Sequence, residues 1–254
     1  MRQLISPSHR DHPDPASLEA LAEVYAYPDQ VNSGRPWLRA NMVAGLDGAA
    51  WLAGLSEGLS SEADKRIFGV LRALCDVVLV GAGTVRAEGY RPARARPQFA
   101  AARQAAGQAP APVIAVVSRS LELDPGAPLF TEPLVRTVVI TTEDAPAEAR
   151  RALAGRADLI TAGRGEVDLP RALAALTERG WTRQLTEGGP RLLADLAAAG
   201  LLDELCLSLA PLLTGGDAPR IMHGVQMADA QRMSLVSLIE QKGFLFTRYC
   251  RTAQ

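Results

Sequence analysis

Residues 184–200, QLTEGGPRLLADLAAAG, set an acid, two glycines and a proline in direct succession. The residues before Glu187 read as a short strand that delivers the carboxylate to a strand end. Pro190 opens a helix at the first helical position, where a missing amide costs nothing, and Gly200 closes it. Gly188 and Gly189 remove side chains where the free amides of the helix start point outward. Bare amides and the helix dipole together suit a phosphate or pyrophosphate. A carboxylate beside such a cradle stands where open α/β sheets bind ligands. The plainer alternative is a tight strand-to-helix turn.

Further polar groups stand at other strand ends. DVVLVG runs into Gly81-Ala82-Gly83-Thr84, with glycines for close backbone approach and Thr84 as a hydroxyl donor or helix cap. The dinucleotide pattern G-x-G-x-x-G fails at its sixth position, Arg86, which disfavours an ordinary Rossmann dehydrogenase. VVSRS ends in Ser118-Arg119, a hydroxyl and a guanidinium suited to a phosphate monoester such as the 2′-phosphate of NADP. A strand simply ending in polar residues is the alternative there. Asp47 is a weaker acid–base candidate, because an Asp-Gly pair is also a turn signal. Arg72, on a helix, competes with a solvated surface arginine.

Strands alternating with helices must position these groups. WLRANMVAGL alternates inward and outward, and EADKRIFGVLRALC puts Ile67, Leu71 and Leu74 on one helical face. DVVLVG, PVIAVVS and RTVVITT are apolar runs expected of strands covered on both faces. Helices follow at about 145–153 and from the cap Asp168. DELCLSLAPLL and FLFTRYC read as longer strands, which predicts antiparallel pairing at one end. The expected class is α/β, three layers with a central mixed sheet between helices. Residues 1–34 read as an N-terminal extension carrying one short helix, SLEALAEVYAY, and residues 35–254 as one domain. Residues 89–112 carry four arginines, no acid and several prolines. They predict a long loop without regular structure, either a solvated linker or a flap over a site.

The chain's 254 residues, 48% hydrophobic, lie near the upper limit for one core. A net charge of −1 supplies no field to gather nucleic acid or an anionic membrane. Cys75, Cys206 and Cys250 lie far apart, and His9, His12 and His223 have no cysteine partners at zinc spacing. Reduced thiols and no metal site are expected. No apolar run serves as a signal peptide or a membrane span, so a cytoplasmic protein is expected.

Four segments in order, NMVAGLDGAA, SSEADKRIFGVLRALCDVVLVGAGTVRAEG, VVSRSLEL and LTEGGPRLLADLAAAGLLDELCLSLAPLLTGG, resemble the riboflavin-pathway pyrimidine reductases. These form the C-terminal domain of the bacterial bifunctional deaminase–reductase, and the resemblance spans residues 35–250. The deaminase's H-x-E and P-C-x-x-C do not occur, so a stand-alone reductase is expected. The resemblance implies a dihydrofolate-reductase-like fold and NADPH as cofactor. It assigns the cofactor to Val43, Gly83, Thr84, Glu88 (usually aspartate in the family), Ser118, Arg119, Gly188, Gly189, Pro190, Arg191 and Leu192. It assigns substrate contacts to Ser56, Arg72 and Glu187. Asn41 stands where the family often has lysine. EGYRPARAR replaces the family's D-D-P-x-L-T-x-R, which leaves Arg94 or Arg96 to supply the seating arginine.

The implied reaction reduces the opened ribosylamino group of 5-amino-6-(5-phosphoribosylamino)uracil with hydride from NADPH. Glu187 would orient sugar hydroxyls and relay a proton, with Asp47 as the second catalytic candidate. The expected partners are a small pyrimidine or pterin and a second copy of the chain, paired through the later strands. Two rival functions are a pterin or folate reductase of the same fold and a non-catalytic NADPH-binding protein.

Overall fold

Alternation along one strand separates the two cores. In β3 (Val77–Gly81), Val78 and Val80 face one apolar layer while Val77 and Leu79 face the other, and all four are fully buried. The structure, a computed structural model, describes residues 1–6, 15, 17–224, 226–227 and 229–252; His9 and His12 lie outside them. Before β3 come β1 (Arg2–Ile5), α1 (Leu18–Val24), β2 (Trp37–Ala44) and α2 (Glu62–Leu74). After it come α3 (Ala82–Ala87), α4 (Ala100–Ala105), β4 (Val113–Val117), α5 (Pro128–Thr131), β5 (Val138–Thr141) and α6 (Ala147–Ala154). The chain continues through β6 (Asp158–Thr161), α7 (Leu169–Thr177), β7 (Arg183–Thr186) and α8 (Pro190–Ala198) to β8 (Glu204–Leu209), β9 (Met233–Gln241) and β10 (Phe244–Arg251).

Among the described residues, ten strands form one sheet in the order β1-β9-β10-β8-β2-β7-β3-β4-β5-β6. Pairing is parallel from β8 to β6 and antiparallel from β8 through β10 and β9 to β1. The fold is thus the expected three-layer α/β arrangement with a mixed sheet. α1 and α2 cover one face through Leu21, Ile67, Val70 and Leu71, and α7 and α8 cover the other through Leu169, Leu173, Leu192 and Leu196.

Arg2–Ile5 of the expected N-terminal extension forms β1, an edge strand of the sheet, and two further features depart from the sequence expectations. Residues 89–112 are not structureless: Pro97–Phe99 makes a single 3-10 turn that runs into α4. Pro97 starts the turn, the alanine-rich AAARQA favours a helix, and buried Phe99 anchors it. Arg103 of this stretch is itself buried and donates to the carbonyls of Ala73, Cys75 and Ala109, capping the end of α2. The second is β9, whose alternation is too weak to read from sequence. Its hairpin with β10 turns on Lys242 and Gly243, both at positive φ, the conformation a two-residue hairpin favours.

A buried ion cluster ties the chain's beginning to this sheet. Glu204 of β8 is fully buried and accepts from Arg39 of β2 and Arg248 of β10, each Nε lying 2.7 Å from Oε1. Trp37 Nε1 donates to the same carboxylate at 2.8 Å. The two guanidiniums also donate to the carbonyls of Val24, Tyr25 and Ala26, where α1 ends. Burial would raise the Glu204 carboxyl, but Arg39 and Arg248 outweigh it and hold it below its ordinary value.

Breaking a buried pair strands its partner's charge, at a cost of about 3–5 kcal/mol. Glu204→Gln should lose that much in urea unfolding at neutral pH. The folded-state value is depressed, so the stabilisation is present above the unfolded carboxylate range and drains as pH falls. Wild type and variant should therefore converge in acid; a constant gap at all pH values would contradict the ion-cluster account.

Candidate active site

The carboxyl ends of β2, β7 and β3 open into a cleft of about 1250 Å³. Pockets for one small ligand run to ~300–1,000 Å³, so this one exceeds the usual single-ligand size. Its walls include Asn41 and Val43 from β2, Gly83, Thr84 and Arg86 from α3, and Gly189, Pro190, Arg191 and Leu192 from the opening of α8. α2 contributes Asp64, Phe68 and Arg72, which share one helical face at four-residue spacing.

The two glycines after Glu187 serve a close approach between turns. Gly188 sits at φ +81, its carbonyl accepts from Gly81 N at 2.8 Å, and its amide donates to Thr186 Oγ1. A Cβ on Gly189 would lie 2.5 Å from Thr84 Oγ1, and one on Gly188 would lie 3.3 Å from Met42. The Gly188–Gly189 peptide is cis. The β7–α8 and β3–α3 turns therefore touch, and the amide-rich start of α8 faces the cleft beside them. Gly83 has nothing within 4 Å of an added Cβ, so its backbone is open as well.

Glu187 is at the centre of the site's polar network. Arg72 grips it with both forks, Nε to Oε1 and Nη2 to Oε2, each at 2.7 Å. The Tyr90 hydroxyl donates to Oε2 and accepts from Arg72 Nη2 at 2.7 Å. The Arg72 guanidinium also lies 4.4 Å from the Phe68 ring centroid. Burial opposes the charge on Arg72, but Glu187 outweighs it and raises its value. Burial pushes the Tyr90 phenol well above its usual range, and Glu187 adds to the shift. Arg72 is thus a clasped cleft residue, not a solvated one.

A side chamber of about 280 Å³ adjoins the cleft, walled by Phe68, Arg72, Arg91, Arg94 and Arg96 among others. The Arg96 guanidinium sits where a side chain on Gly69 would be: a Cβ there would lie 2.2 Å from Nη2. Burial and the charge of Arg72 both lower its value. Arg94 lines this chamber and not the main cleft.

The remaining sequence candidates divide. Ser56 and Glu88 line the cleft and bond each other, Ser56 N to Glu88 Oε1 at 3.0 Å. Thr84 is inside α3, whose cap is Gly81, so it is not the helix cap. Ser118 is buried with its hydroxyl accepting from Leu121 N, and neither it nor exposed Arg119 is among the cleft's lining residues. Asp47 also stands outside that lining: its carboxylate accepts from the amides of Thr214, Gly215 and Ala49. Those amides, Gly215 and Thr214 foremost, hold it at about 2. Its role in the structure is to fasten two turns together.

Sequence reasoning missed Tyr90, Asp64, Phe68 and the segment 217–223, whose Arg220 and His223 line the cleft near α8. The α2 residues had a usable signal, the four-residue spacing that ends at Arg72. Tyr90 and 217–223 lie in loops and had none.

A nucleotide-sized cleft at the carboxyl ends of parallel strands, with a helix opening and a clasped carboxylate in its wall, defines an α/β ligand-binding enzyme domain. Residues 36–242 match the model of the RibD C-terminal domain, and the chain belongs to that family. It is 33% identical over 205 residues to the 2,5-diamino-6-ribosylamino-4(3H)-pyrimidinone 5′-phosphate reductase of Methanothermobacter thermautotrophicus, covering 79% of this chain and 91% of that one. The enzyme of the same name from Archaeoglobus fulgidus is 30% identical over 215 residues, 84% of this chain and 97% of that one. The crystal structure of a pyrimidine reductase-like protein from Corynebacterium diphtheriae superposes with a TM-score of 0.84 at 25% identity, over 94% of this chain and all of the other. The chain is an oxidoreductase of the pyrimidine-reductase type.

The glycine contact gives a stability prediction. Gly188→Ala puts a side chain at positive φ and against Met42, and should cost about 1–2 kcal/mol. An unchanged urea midpoint would show that the turn adapts.

Proposed function

We propose that the cleft binds NADPH and a ribosylamino-pyrimidine 5′-phosphate, and that the ribosyl carbon is reduced to a ribityl chain. The observation that carries this reading is the Arg72–Glu187 clasp at the end of β7, directly beside the bare opening of α8. The cofactor, when bound, supplies the hydride, and the proton that completes the reduction comes from solvent, relayed at Glu187. The chain's residues fit it: α8 offers amides and Arg191, Gly83 offers open backbone, and Arg86 lines the cleft while donating to the Glu122 carbonyl. Arg119 lies in the turn that follows β4, and Arg86 donates to the Glu122 carbonyl just after it; we assign that turn to the 2′-phosphate.

On the substrate side, Glu187 accepts sugar hydroxyls while the Arg72 fork keeps its carboxylate oriented. The side chamber, with its arginines and no acid of its own, receives the 5′-phosphate. Arg96 fills the seating role there better than Arg94, because the notch at Gly69 holds it against Arg72. The archaeal relatives' names favour the 2,5-diamino pyrimidinone as substrate over the deaminated uracil expected from sequence.

NADPH oxidation should be followed with the diamino pyrimidinone phosphate, the uracil phosphate and dihydrofolate in parallel. The diamino compound should turn over fastest, and Glu187→Gln should lower kcat at saturating substrate. Turnover of dihydrofolate alone would make the chain a folate reductase; NADPH binding without any turnover would make it a binding protein. A second variant tests the chamber. Gly69→Ala should leave thermal stability equal or higher, since alanine favours helix interiors, yet raise KM for the phosphorylated substrate about tenfold, the loss of about one charge-assisted bond. An unchanged KM would remove Arg96 from the phosphate site.

A further inference from the structure

Counting acceptor sites on Glu187 singles out a residue with no assigned role. An ionised carboxylate offers about four lone-pair positions, two on each oxygen. Among the described residues, Oε2 receives Arg72 Nη2 and the Tyr90 hydroxyl, whereas Oε1 receives only Arg72 Nε. Oε2 is therefore filled and Oε1 keeps one open position. Arg72 alone would hold the carboxylate by a symmetric fork that leaves one position on each oxygen. Tyr90 breaks that symmetry.

We propose that Tyr90 is a positioning residue that aims Glu187, closing Oε2 so that a sugar hydroxyl of the substrate meets Oε1. The inference rests on the reductase reading of the cleft. The tyrosine is well placed for this task. Its amide donates to the Val85 carbonyl at 3.0 Å, fixing its backbone to α3, and the Arg72 guanidinium lies 5.1 Å from its ring centroid. Its raised phenol value leaves the hydroxyl protonated at neutral pH, so it can keep donating to Glu187 while it accepts from Arg72. Loop 88–91 is thereby part of the site, carrying Glu88 on one side to Ser56 and Tyr90 on the other to Glu187.

The test is a double-mutant cycle read twice. Tyr90→Phe removes one hydroxyl and keeps the ring. It should lower kcat with the pyrimidine phosphate about ten- to a hundredfold, the worth of one hydrogen bond to a charged group, and leave the Kd for NADPH unchanged. In a Glu187→Gln background the same change should add almost nothing, because a residue acting through Glu187 has no further effect once the carboxylate is gone. Additive losses, or full kcat in Tyr90→Phe, would overturn the assignment.

Calorimetric titration with ribose 5-phosphate reads the same cycle without turnover. Tyr90→Phe should weaken that probe about tenfold in the wild-type background and not in Glu187→Gln. If the wild-type enzyme fails on every pyrimidine, the proposed reaction falls, and the titration still decides for or against Tyr90. Thermal unfolding of each variant identifies one that has not folded, and Tyr90→Leu, which also lacks a donor, then replaces Tyr90→Phe.

Discussion

The cleft depends on two backbone turns meeting where side chains do not fit. Because β7 lies beside β3, the loops leaving their carboxyl ends must either diverge or touch. Glycine at 188 and 189 lets them touch, with a Gly81 amide bonded to the Gly188 carbonyl and Thr84 filling the space a side chain on Gly189 would need. Contact at that point sends α3 and α8 apart on opposite faces of the sheet, so their first residues become opposing walls. It also fixes Glu187, one residue upstream, at the rim where α2 passes. A bare helix opening and a carboxylate end up adjacent because one short loop must satisfy one steric constraint.

Charge is then arranged on two scales. Arg72 and Glu187 form a pair that is neutral overall, and their bidentate geometry suits orientation more than attraction. The adjoining chamber is different: Arg91, Arg94 and Arg96 crowd the outer side of Arg72 without a carboxylate among the chamber's walls. Like charges held together cost energy unless an anion joins them. In a chain whose net charge is only −1, the chamber gathers positive charge, and a bound anion there would relieve the repulsion.

The sequence was most informative where cause and effect lie within a few residues. The run from Glu187 to Gly200 announced its strand end, its bare turn and both helix boundaries, and the structure keeps all of them. Arg72 could not be distinguished from a surface arginine, because its partner is 115 residues away and only the sheet order brings them together. Asp47 shows a different limit. An Asp-Gly pair carries the same local signal whether the carboxylate does chemistry or accepts backbone amides, and here it does the latter. In 89–112, prolines concealed a helix that depends on a buried arginine binding carbonyls of another segment. Such long-range satisfaction of polar groups leaves no periodicity to read.

Strand β2 shows how stability and function share one element without interfering. Residues two apart on a strand point the same way, so Arg39, Asn41 and Val43 lie on one face. Arg39 is sealed under the end of α1 with Glu204 and Arg248, whereas Asn41 and Val43 open into the cleft. The dividing line is where α1 stops and α2 begins to cover the sheet. There Asp64, third residue of α2, accepts from Ser208 at 2.6 Å, opposite Val43 in the β2–β8 register. That bond pins the start of α2 to the sheet, and the helix then carries Phe68 and Arg72 along the cleft at a fixed rise of ~1.5 Å per residue. The position of the Arg72 fork is therefore set at both ends, by Asp64 on the sheet and by Arg103 capping the carbonyls of Ala73 and Cys75. A guanidinium held so firmly can fix a carboxylate in turn.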